Sequence, residues 1–251
     1  MNKILTIAGS DCSGGAGIQA DIKTITVHKA YAMSVITALT AQNTLGVSAI
    51  QQATPQFVAS QLQAVFEDIP PDAVKIGMIF NSEIIMTIAL NLRRYQARNV
   101  VLDPVMVAES GGKLLQDEAV AALQRYLLPV ADMITPNLHE AGILSGLTIS
   151  DEAEMVRAAQ IISEQTPAAI LIKGGHLPGD EASDLLYFQG QVIWFKSPRV
   201  VNPRNRLHFV VRHCLPVGGR LPAGQGGLQS QAVFTASLKS QSKYWARQGA
   251  S

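Results

Sequence analysis

Short apolar runs alternate with amphipathic stretches from the N-terminus to about residue 175. Continuous apolar runs are typical of buried strands, whereas apolar residues three and four positions apart indicate helices. The predicted strands are Ile4–Ala8, Met33–Leu39, Val74–Ile76, Val100–Asp103, Met133–Thr135 and Ala168–Lys173. The predicted helices are Ile18–His28, the stretch from Pro55 with Phe57, Leu62, Val65 and Phe66 on its apolar face, Ser82–Tyr95, Asp117–Leu128, Asn137–Leu144 and Glu152–Glu164. This repeated strand-then-helix order predicts an α/β fold, with a mostly parallel sheet and helices on both of its faces.

Local signals support parts of this order. Thr54-Pro55 is a helix cap followed by proline at the first helical position, and Ser82 is the predicted cap of the next helix. Two short alternating runs then follow, Leu185–Phe188 and Val192–Phe195, joined by Gln189-Gly190. These runs predict a hairpin at the edge of the sheet.

The composition is that of a globular protein. The chain has 251 residues, of which 47% are hydrophobic and 16% charged, so it can form one large α/β domain rather than a disordered or fibrous chain. Two cysteines, Cys12 and Cys214, give no disulfide framework. No apolar run reaches membrane length, and we therefore expect a soluble cytoplasmic protein with no membrane partner.

Charge is spread unevenly along the chain. The net charge of +1 argues against nucleic acid as a partner. Every acidic residue precedes Arg206, so residues 1–205 carry 14 basic and 19 acidic side chains, while residues 206–251 carry six basic side chains and no acidic one. The tail is therefore either a basic arm for an acidic partner or a segment of different origin from the body.

Polar and glycine residues follow the predicted strands. In open parallel sheets, ligands bind outside the carboxyl ends of the strands. The residues at these ends are Gly9-Ser10-Asp11, Gln42-Asn43, Gly77-Met78, Asp103-Pro104, Asn137 with Glu140, and Lys173-Gly174-Gly175. Such a rim suits a phosphorylated ligand and a divalent cation, although it does not identify the ligand.

Two of these features lie at the start of the predicted helix 18–28. The glycine loop Gly9–Gly17 could bring backbone N–H groups close to a ligand, or it could be a simple connector between strand and helix. Asp21 lies one turn beyond Gly17, where it could touch the ligand or be a solvated helix carboxylate.

The other charged residues also allow two interpretations each. Asp103 could reach a metal ion or cap the turn that follows it. Asn137 and Glu140 could bind a phosphate and a magnesium ion, or they could form a capping box at a helix start. Lys173 could bind a phosphate or be an edge lysine reaching for solvent. His139 is expected on the surface.

Six segments in order resemble hydroxymethylpyrimidine/phosphomethylpyrimidine kinase, the thiamine-biosynthesis family of the ribokinase-like superfamily. The likeness extends from about residue 3 to Asn205. The segments that carry it are Ile7–Asp21, Thr40–Val47, Lys75–Met78, Val101–Met106, Ile134–Glu140 and Leu171–His176.

The resemblance implies a three-layer α/β/α fold and a role for each matched residue. It implies two ATP-dependent phosphorylations, of the hydroxymethyl oxygen of the pyrimidine and then of the resulting monophosphate, and a homodimer. The implied pyrimidine pocket consists of Gly9, Asp21, Gln42, Met78 and Val105. Asp103 and Glu140 would hold Mg²⁺, with Asn137 and Lys173 on the ATP phosphates.

The likeness stops after Asn205. The family continues with Thr-His-Gly-Thr-Gly-Cys-Thr, which supplies the anion hole and a cysteine base, whereas this chain continues Arg206–Leu215. No catalytic residue of that motif is therefore intact, and Cys214 lacks the flanking glycines that would make it a replacement. We expect a kinase domain over residues 1–205, incomplete at its end, and an aberrant basic tail over 206–251.

A shift of reading frame accounts for the tail. Arg206–Leu215 can be encoded CGG CTG CAC TTT GTC GTC CGC CAT TGC CTG. Read one base later, those codons give Gly-Cys-Thr-Leu-Ser-Ser-Ala-Ile-Ala-Cys, which is the family segment from its second glycine onward. The alternative is a genuinely divergent basic tail.

Two other functions remain open at the level of the sequence. One is a pyridoxal kinase of the same superfamily, since pyridoxal also carries a hydroxymethyl group on a heteroaromatic ring. The other is a pyrimidine-binding protein without catalytic activity.

Overall fold

The computed structural model describes residues 1–106, 117–175 and 181–198. The strands are β1 Lys3–Asp11, β2 Tyr31–Asn43, β3 Gly46–Gln52, β4 Ala73–Ile76, β5 Val100–Leu102, β6 Met133–Ile134, β7 Ala169–Ile172, β8 Glu181–Phe188 and β9 Gln191–Pro198. The helices are α1 Gly17–Val27, α2 Pro55–Asp68, α3 Ser82–Arg94, α4 Asp117–Ala122, α5 Leu138–Ser145 and α6 Glu152–Ser163.

The strands form one sheet in the order β3-β2-β1-β4-β5-β6-β7-β8-β9. All neighbours from β2 to β7 pair in parallel, and β3, β8 and β9 are antiparallel. The α/β fold with a mostly parallel sheet is thus confirmed. So is the hairpin at the sheet edge, where Gln189 and Gly190 both have positive φ, as a two-residue turn between twisted strands requires.

Alternate residues of the strands face two different helical layers. Leu5, Ile7 and Ile76 belong to the larger core, which they form with the apolar faces of α2, α3 and α6. Ile4 and Val101 face the opposite side of the sheet, where Ile25 of α1 packs on them. The described residues therefore place helices on both faces of the sheet, and the charged rim lies at the carboxyl ends of its strands.

Several local expectations are corrected by the structure. The cap of α3 is Asn81 rather than Ser82, because the Asn81 Oδ1 atom accepts a hydrogen bond from the Ile84 N–H at 2.9 Å. Phe57 is 61% exposed and does not belong to the buried face of α2. The helix predicted over 117–128 ends at Ala122 and continues as a π-helical turn, Leu123–Leu127. Thr54 does cap α2, as predicted.

The strand β3 was not predicted. Its residues are almost all exposed, so they show no period-two alternation of apolar and polar side chains. It pairs with the second half of β2, which is also longer than predicted. Together they extend the sheet beyond the edge expected from the sequence.

No helix among the described residues is long and apolar enough to cross a membrane. The expectations for residues 206–251, including the lost anion hole and Cys214, fall outside the described residues.

Candidate active site

The ends of β5, β6 and β7 bring two of the expected residues together with Thr135. The Lys173 Nζ atom donates a hydrogen bond to Asp103 Oδ1 at 2.8 Å. Thr135 Oγ1 donates to the same oxygen at 3.1 Å. Because β7 lies between β6 and β8, Lys173 is not an edge lysine. Lys173 and Asp103 therefore form an ion pair at the rim that reaches across the end of β6, which lies between their two parallel strands.

Glu140 lies beside this pair and also fixes the start of α5. Its Oε2 atom accepts from the Asn137 N–H at 2.8 Å, and Asn137 Oδ1 accepts from the Glu140 N–H at 2.9 Å. Both hydrogen bonds of the predicted capping box are thus present. The capping box does not exclude a binding role, because Glu140 is 3% exposed and its charge is felt at Asp103 and Lys173.

The electrostatics of this cluster favour a cation. Burial, and then the negative charge of Asp103, raise the pKa of Glu140 to about 7, against the smaller opposing effect of Lys173. Burial acts to lower the pKa of Lys173, but the carboxylates of Asp103 and Glu140 outweigh it and the net shift is upward. Two carboxylates thus share one ammonium in a buried place, and a divalent cation would relieve their repulsion.

The donor set matches magnesium in kind. In the described part of the chain, no group of three or more histidine, cysteine or carboxylate side chains could hold a metal ion. Magnesium usually takes only one or two carboxylates from the protein and completes its shell with water and substrate phosphates. Asp103 and Glu140 fit that pattern.

The expected pyrimidine side of the rim is built on close approaches of backbone. A methyl group at Gly9 would overlap the Cε atom of Met78, and one at Gly17, where φ is +56°, would overlap the Gly9 carbonyl oxygen. Met78 and Val105 are half-buried. Glycine is therefore required at position 17, where the backbones of β1 and α1 meet, whereas at Gly9 an added methyl would meet only the flexible end of Met78.

Asp21 is not a solvated helix carboxylate. It is 1% exposed, and its Oδ2 atom accepts hydrogen bonds from Thr6 Oγ1 at 2.5 Å and from Lys75 Nζ at 2.8 Å. Lys75 is itself 3% exposed. Asp21 thus belongs to a buried ion pair just below the rim, and Lys75, which sequence reasoning missed, is its partner.

Gln42 lies at the far end of β2 and is half-buried. Its Oε1 atom accepts from Thr40 Oγ1 at 3.2 Å. Its backbone N–H donates to the Cys12 sulfur at 3.3 Å, and the Cys12 thiol donates to the Gln42 carbonyl at 3.2 Å. The glycine loop and the end of β2 are therefore tied together across this side of the rim.

The N–H groups of the glycine loop are bound by the carboxylate of Asp11, which lies at the start of the same loop. Asp11 is 3% exposed, and its side chain accepts from the N–H groups of Ser13, Gly15 and Ala16 at 2.8, 2.9 and 2.8 Å. Burial alone would raise the pKa of Asp11, but these hydrogen bonds and that of the Ser13 hydroxyl outweigh it, so its pKa is lowered. The amides expected to approach a ligand are thus already filled. An aspartate two residues before a serine in a glycine-rich turn was the available signal.

A second carboxylate that the sequence did not single out supports Lys173. Asp184 Oδ1 accepts from the Gly174 N–H at 2.9 Å, and a methyl group at Gly174 would overlap the Ser183 carbonyl oxygen. Burial raises the pKa of Asp184. Gly174 lets β8 approach the end of β7, and Asp184 fixes the turn from which Lys173 extends.

Helices on both faces of a mostly parallel sheet, with an ammonium and carboxylates gathered at the strand ends, are the architecture of the ribokinase-like small-molecule kinases. Solved structures agree with this class. Phosphomethylpyrimidine kinase from Clostridium difficile is 40% identical, covers 97% of each chain and has a TM-score of 0.79. An ADP complex of a pyridoxal kinase from Bacillus subtilis is 35% identical over 81% of this chain and 77% of that one, with a TM-score of 0.74.

The family model described as phosphomethylpyrimidine kinase matches residues 11–206. The chain belongs to this family. A hydroxymethylpyrimidine/phosphomethylpyrimidine kinase from Rhizobium meliloti is 53% identical over 190 residues, which are 75% of this chain and 71% of that protein. The chain also matches the thiamine biosynthesis bifunctional protein ThiED from Geobacter sulfurreducens at 50% identity, but spans only 41% of its length.

Proposed function

We propose that the body of this chain is built to phosphorylate 4-amino-5-hydroxymethyl-2-methylpyrimidine, and then its monophosphate, with ATP. The observation that carries the proposal is the cluster of Lys173, Asp103 and Glu140 at the strand ends of a chain that belongs to the phosphomethylpyrimidine kinase family. Phosphoryl transfer is mostly positioning and charge neutralisation, which are the tasks this cluster suits.

Each group has a task in this proposal. Lys173 contributes positive charge to the ATP phosphates, and the Asn137 side chain orients them at the start of α5. Asp103 and Glu140 hold Mg²⁺, which neutralises phosphate charge when it is bound. Gly9, Asp21, Gln42, Met78 and Val105 receive the pyrimidine.

We further propose that transfer is impaired in this chain, with residues 1–205 as an incomplete kinase domain and 206–251 as an altered tail. The sequence after Asn205 lacks the family's Gly-Thr-Gly-Cys, and Arg206–Leu215 can be encoded by codons that give the family segment from its second glycine when read one base later. Determining the nucleotide sequence across codons 200–216 tests this directly. A set of codons that cannot give the family segment in any frame would leave a divergent tail as the explanation.

A coupled assay of ATP consumption with each substrate tests the activity. We expect turnover with the hydroxymethylpyrimidine to exceed turnover with pyridoxal. The pyridoxal alternative deserves the comparison because a pyridoxal kinase is among the similar structures. Greater turnover with pyridoxal would reverse the assignment. Calorimetric binding of the pyrimidine, with no ATP consumption even when Thr-His-Gly-Thr-Gly-Cys is restored after Asn205, would instead support a binding protein.

The magnesium assignment has a test that does not depend on turnover. Titration calorimetry of an ATP analogue, at several magnesium concentrations, should show that Asp103→Ala or Glu140→Ala raises the magnesium concentration needed for binding. Pyrimidine affinity should be nearly unchanged in Glu140→Ala, because Glu140 lies on α5, which contributes no residue to the proposed pyrimidine pocket. Equal loss of both ligands would indicate a disturbed fold, and Glu140 would then be only a helix cap.

A homodimer, with a cytoplasmic location, completes the proposal. Residues 30–66 contain no charged side chain, and β3 within them is an edge strand that exposes Val47 and Ile50, with Leu45 exposed just before it. Exposed edge strands are usually protected by charge. Light scattering should therefore give twice the chain mass, and Ile50→Lys should halve it. A monomeric parent chain would refute the dimer, and cell fractionation tests the location.

A further inference from the structure

The ion pair of Asp21 and Lys75 is the most deeply buried pair of charges in the described part of the chain. Their side chains are 1% and 4% exposed, and the Nζ–Oδ2 distance is 2.8 Å. Thr6, which is the register partner of Lys75 across β1 and β4, donates to the same carboxylate oxygen. Three elements, α1, β1 and β4, therefore meet at one oxygen of Asp21.

A pair of this kind is poorly explained by stability alone. Removing two charges from water is costly, and replacing a buried ion pair with apolar side chains often leaves stability unchanged or improves it. Thr6, Asp21 and Lys75 lie on the face of the sheet that α1 covers, where the buried apolar neighbours are Ile4, Ile25 and Val101. The pair is thus better explained by what it does at the rim.

The Lys75 ammonium extends to the carboxyl end of β4. A methyl group at Gly77 would lie 2.7 Å from Lys75 Nζ, so the absence of a side chain there makes room for the ammonium. Met78 follows directly, and it contacts Gly9 on the pyrimidine side. On the other side, the charge of Lys75 is felt at Lys173. Lys75 therefore lies between the two halves of the rim.

We propose that Lys75 is a positioning residue for pyrimidine binding, acting through Asp21. This inference rests on the proposed function. Lys75 and Thr6 hold Oδ2, while the structure gives Oδ1 of Asp21 no hydrogen-bond partner among the described residues. Lys75 thereby balances the charge of the carboxylate and turns it so that Oδ1 can accept an N–H group of the aminopyrimidine.

A double-mutant cycle on pyrimidine affinity tests the proposal with the full chain. Titration calorimetry would measure the Kd for 4-amino-5-hydroxymethyl-2-methylpyrimidine in the parent, Lys75→Met, Asp21→Asn and the double variant. We expect Lys75→Met to weaken binding about tenfold in the parent but less than about twofold in the Asp21→Asn background, because a residue acting through another has no effect once that other is changed.

Folding is followed in the same samples by thermal unfolding. Lys75→Met leaves a buried carboxylate unpaired and can prevent folding, so Lys75→Gln, which keeps a donor for Oδ2 but loses the charge, is the second variant. It should fold and still bind more weakly than the parent. Lys196→Met is the matched control, since it removes a lysine from an exposed pair with Glu152 at the opposite edge of the sheet, and its Kd should not change.

The outcomes distinguish failure of the positioning role of Lys75 from failure of the proposed function. The same loss from Lys75→Met in both backgrounds, or parent affinity in a folded Lys75→Gln variant, would overturn the positioning role while leaving the proposed function intact. A parent chain that binds no pyrimidine would overturn the proposed function itself, and this inference with it.

Discussion

Gln42 is the residue expected to recognise the edge of the pyrimidine. Its side-chain oxygen is held by Thr40 Oγ1, and its Nε2 group has no partner among the described residues. Gln42→Ala should therefore weaken pyrimidine binding by about 1–3 kcal/mol, since it leaves groups of the ligand unpaired. Titration calorimetry measures this, and unchanged affinity would remove Gln42 from the pocket.

Glu140 gives the site a predictable pH dependence. Its folded-state pKa of about 7 lies above its ordinary value of 4.5. Between these values the folded protein holds a proton that the unfolded chain has released, so Glu140 makes the free energy of unfolding fall as pH rises through this window. Glu140→Gln removes that penalty and keeps an oxygen for the Asn137 N–H.

Urea unfolding in the presence of a chelator provides the measurement. The free energy of unfolding of Glu140→Gln, relative to that of the parent, should be higher at pH 8 than at pH 5. A difference between the two proteins that stays constant over this range would show that Glu140 does not titrate within it.

The site was partly predictable from the sequence for a simple geometric reason. Asp103, Glu140 and Lys173 follow strands that are neighbours in a parallel sheet, so their position at strand ends was enough to predict that they meet. Lys75 and Asp11 were missed because their importance depends on burial. An interior lysine of a strand gives no signal until the surrounding elements are placed, whereas Asp11, two residues before a serine, carries a signal for a turn but none for its burial.

The loop between β1 and α1 is an element shaped by one side chain. Asp11→Ala leaves three backbone N–H groups and a hydroxyl without their acceptor, so the free energy of unfolding should fall by about 1–3 kcal/mol. Chemical denaturation checks the change. Asp11→Asn keeps one acceptor oxygen and should lose less. Equal stability of the Ala variant and the parent would mean that water replaces the carboxylate.

At the level of elements, the sequence predicted the strands and helices whose apolar residues recur at a regular spacing. The parallel strands and most helices have a clear apolar pattern. The hairpin β8–β9 is predictable because Gln189-Gly190 between two alternating runs is typical of a two-residue turn. The edge strand β3 lacks a buried face, and the π-helical turn at Leu123–Leu127 changes hydrogen bonding without changing the apolar spacing. Neither leaves a mark in the sequence, and both required the structure.

Restoring the reading frame after Asn205 is the decisive experiment on the whole molecule. Loss of one donor to developing negative charge typically costs about 10²–10³ in rate, and this chain lacks the family's whole set. A version in which Thr-His-Gly-Thr-Gly-Cys follows Asn205 should exceed the present chain at least about 10²-fold in kinase rate. It should also melt at a higher temperature. Comparable rates would show that the tail supplies its own anion hole.

The strand order has a consequence for how the chain is made. From β5 to β9 each strand pairs with the one synthesised just before it, whereas β4 pairs with β1, and β2 and β3 complete the other half of the sheet. Every strand pairing described is therefore available once Pro198 has left the ribosome, and domains can fold as they emerge during translation. An altered tail that begins after Asn205 removes none of these strand pairings, so we expect cells to accumulate folded but idle protein rather than aggregate.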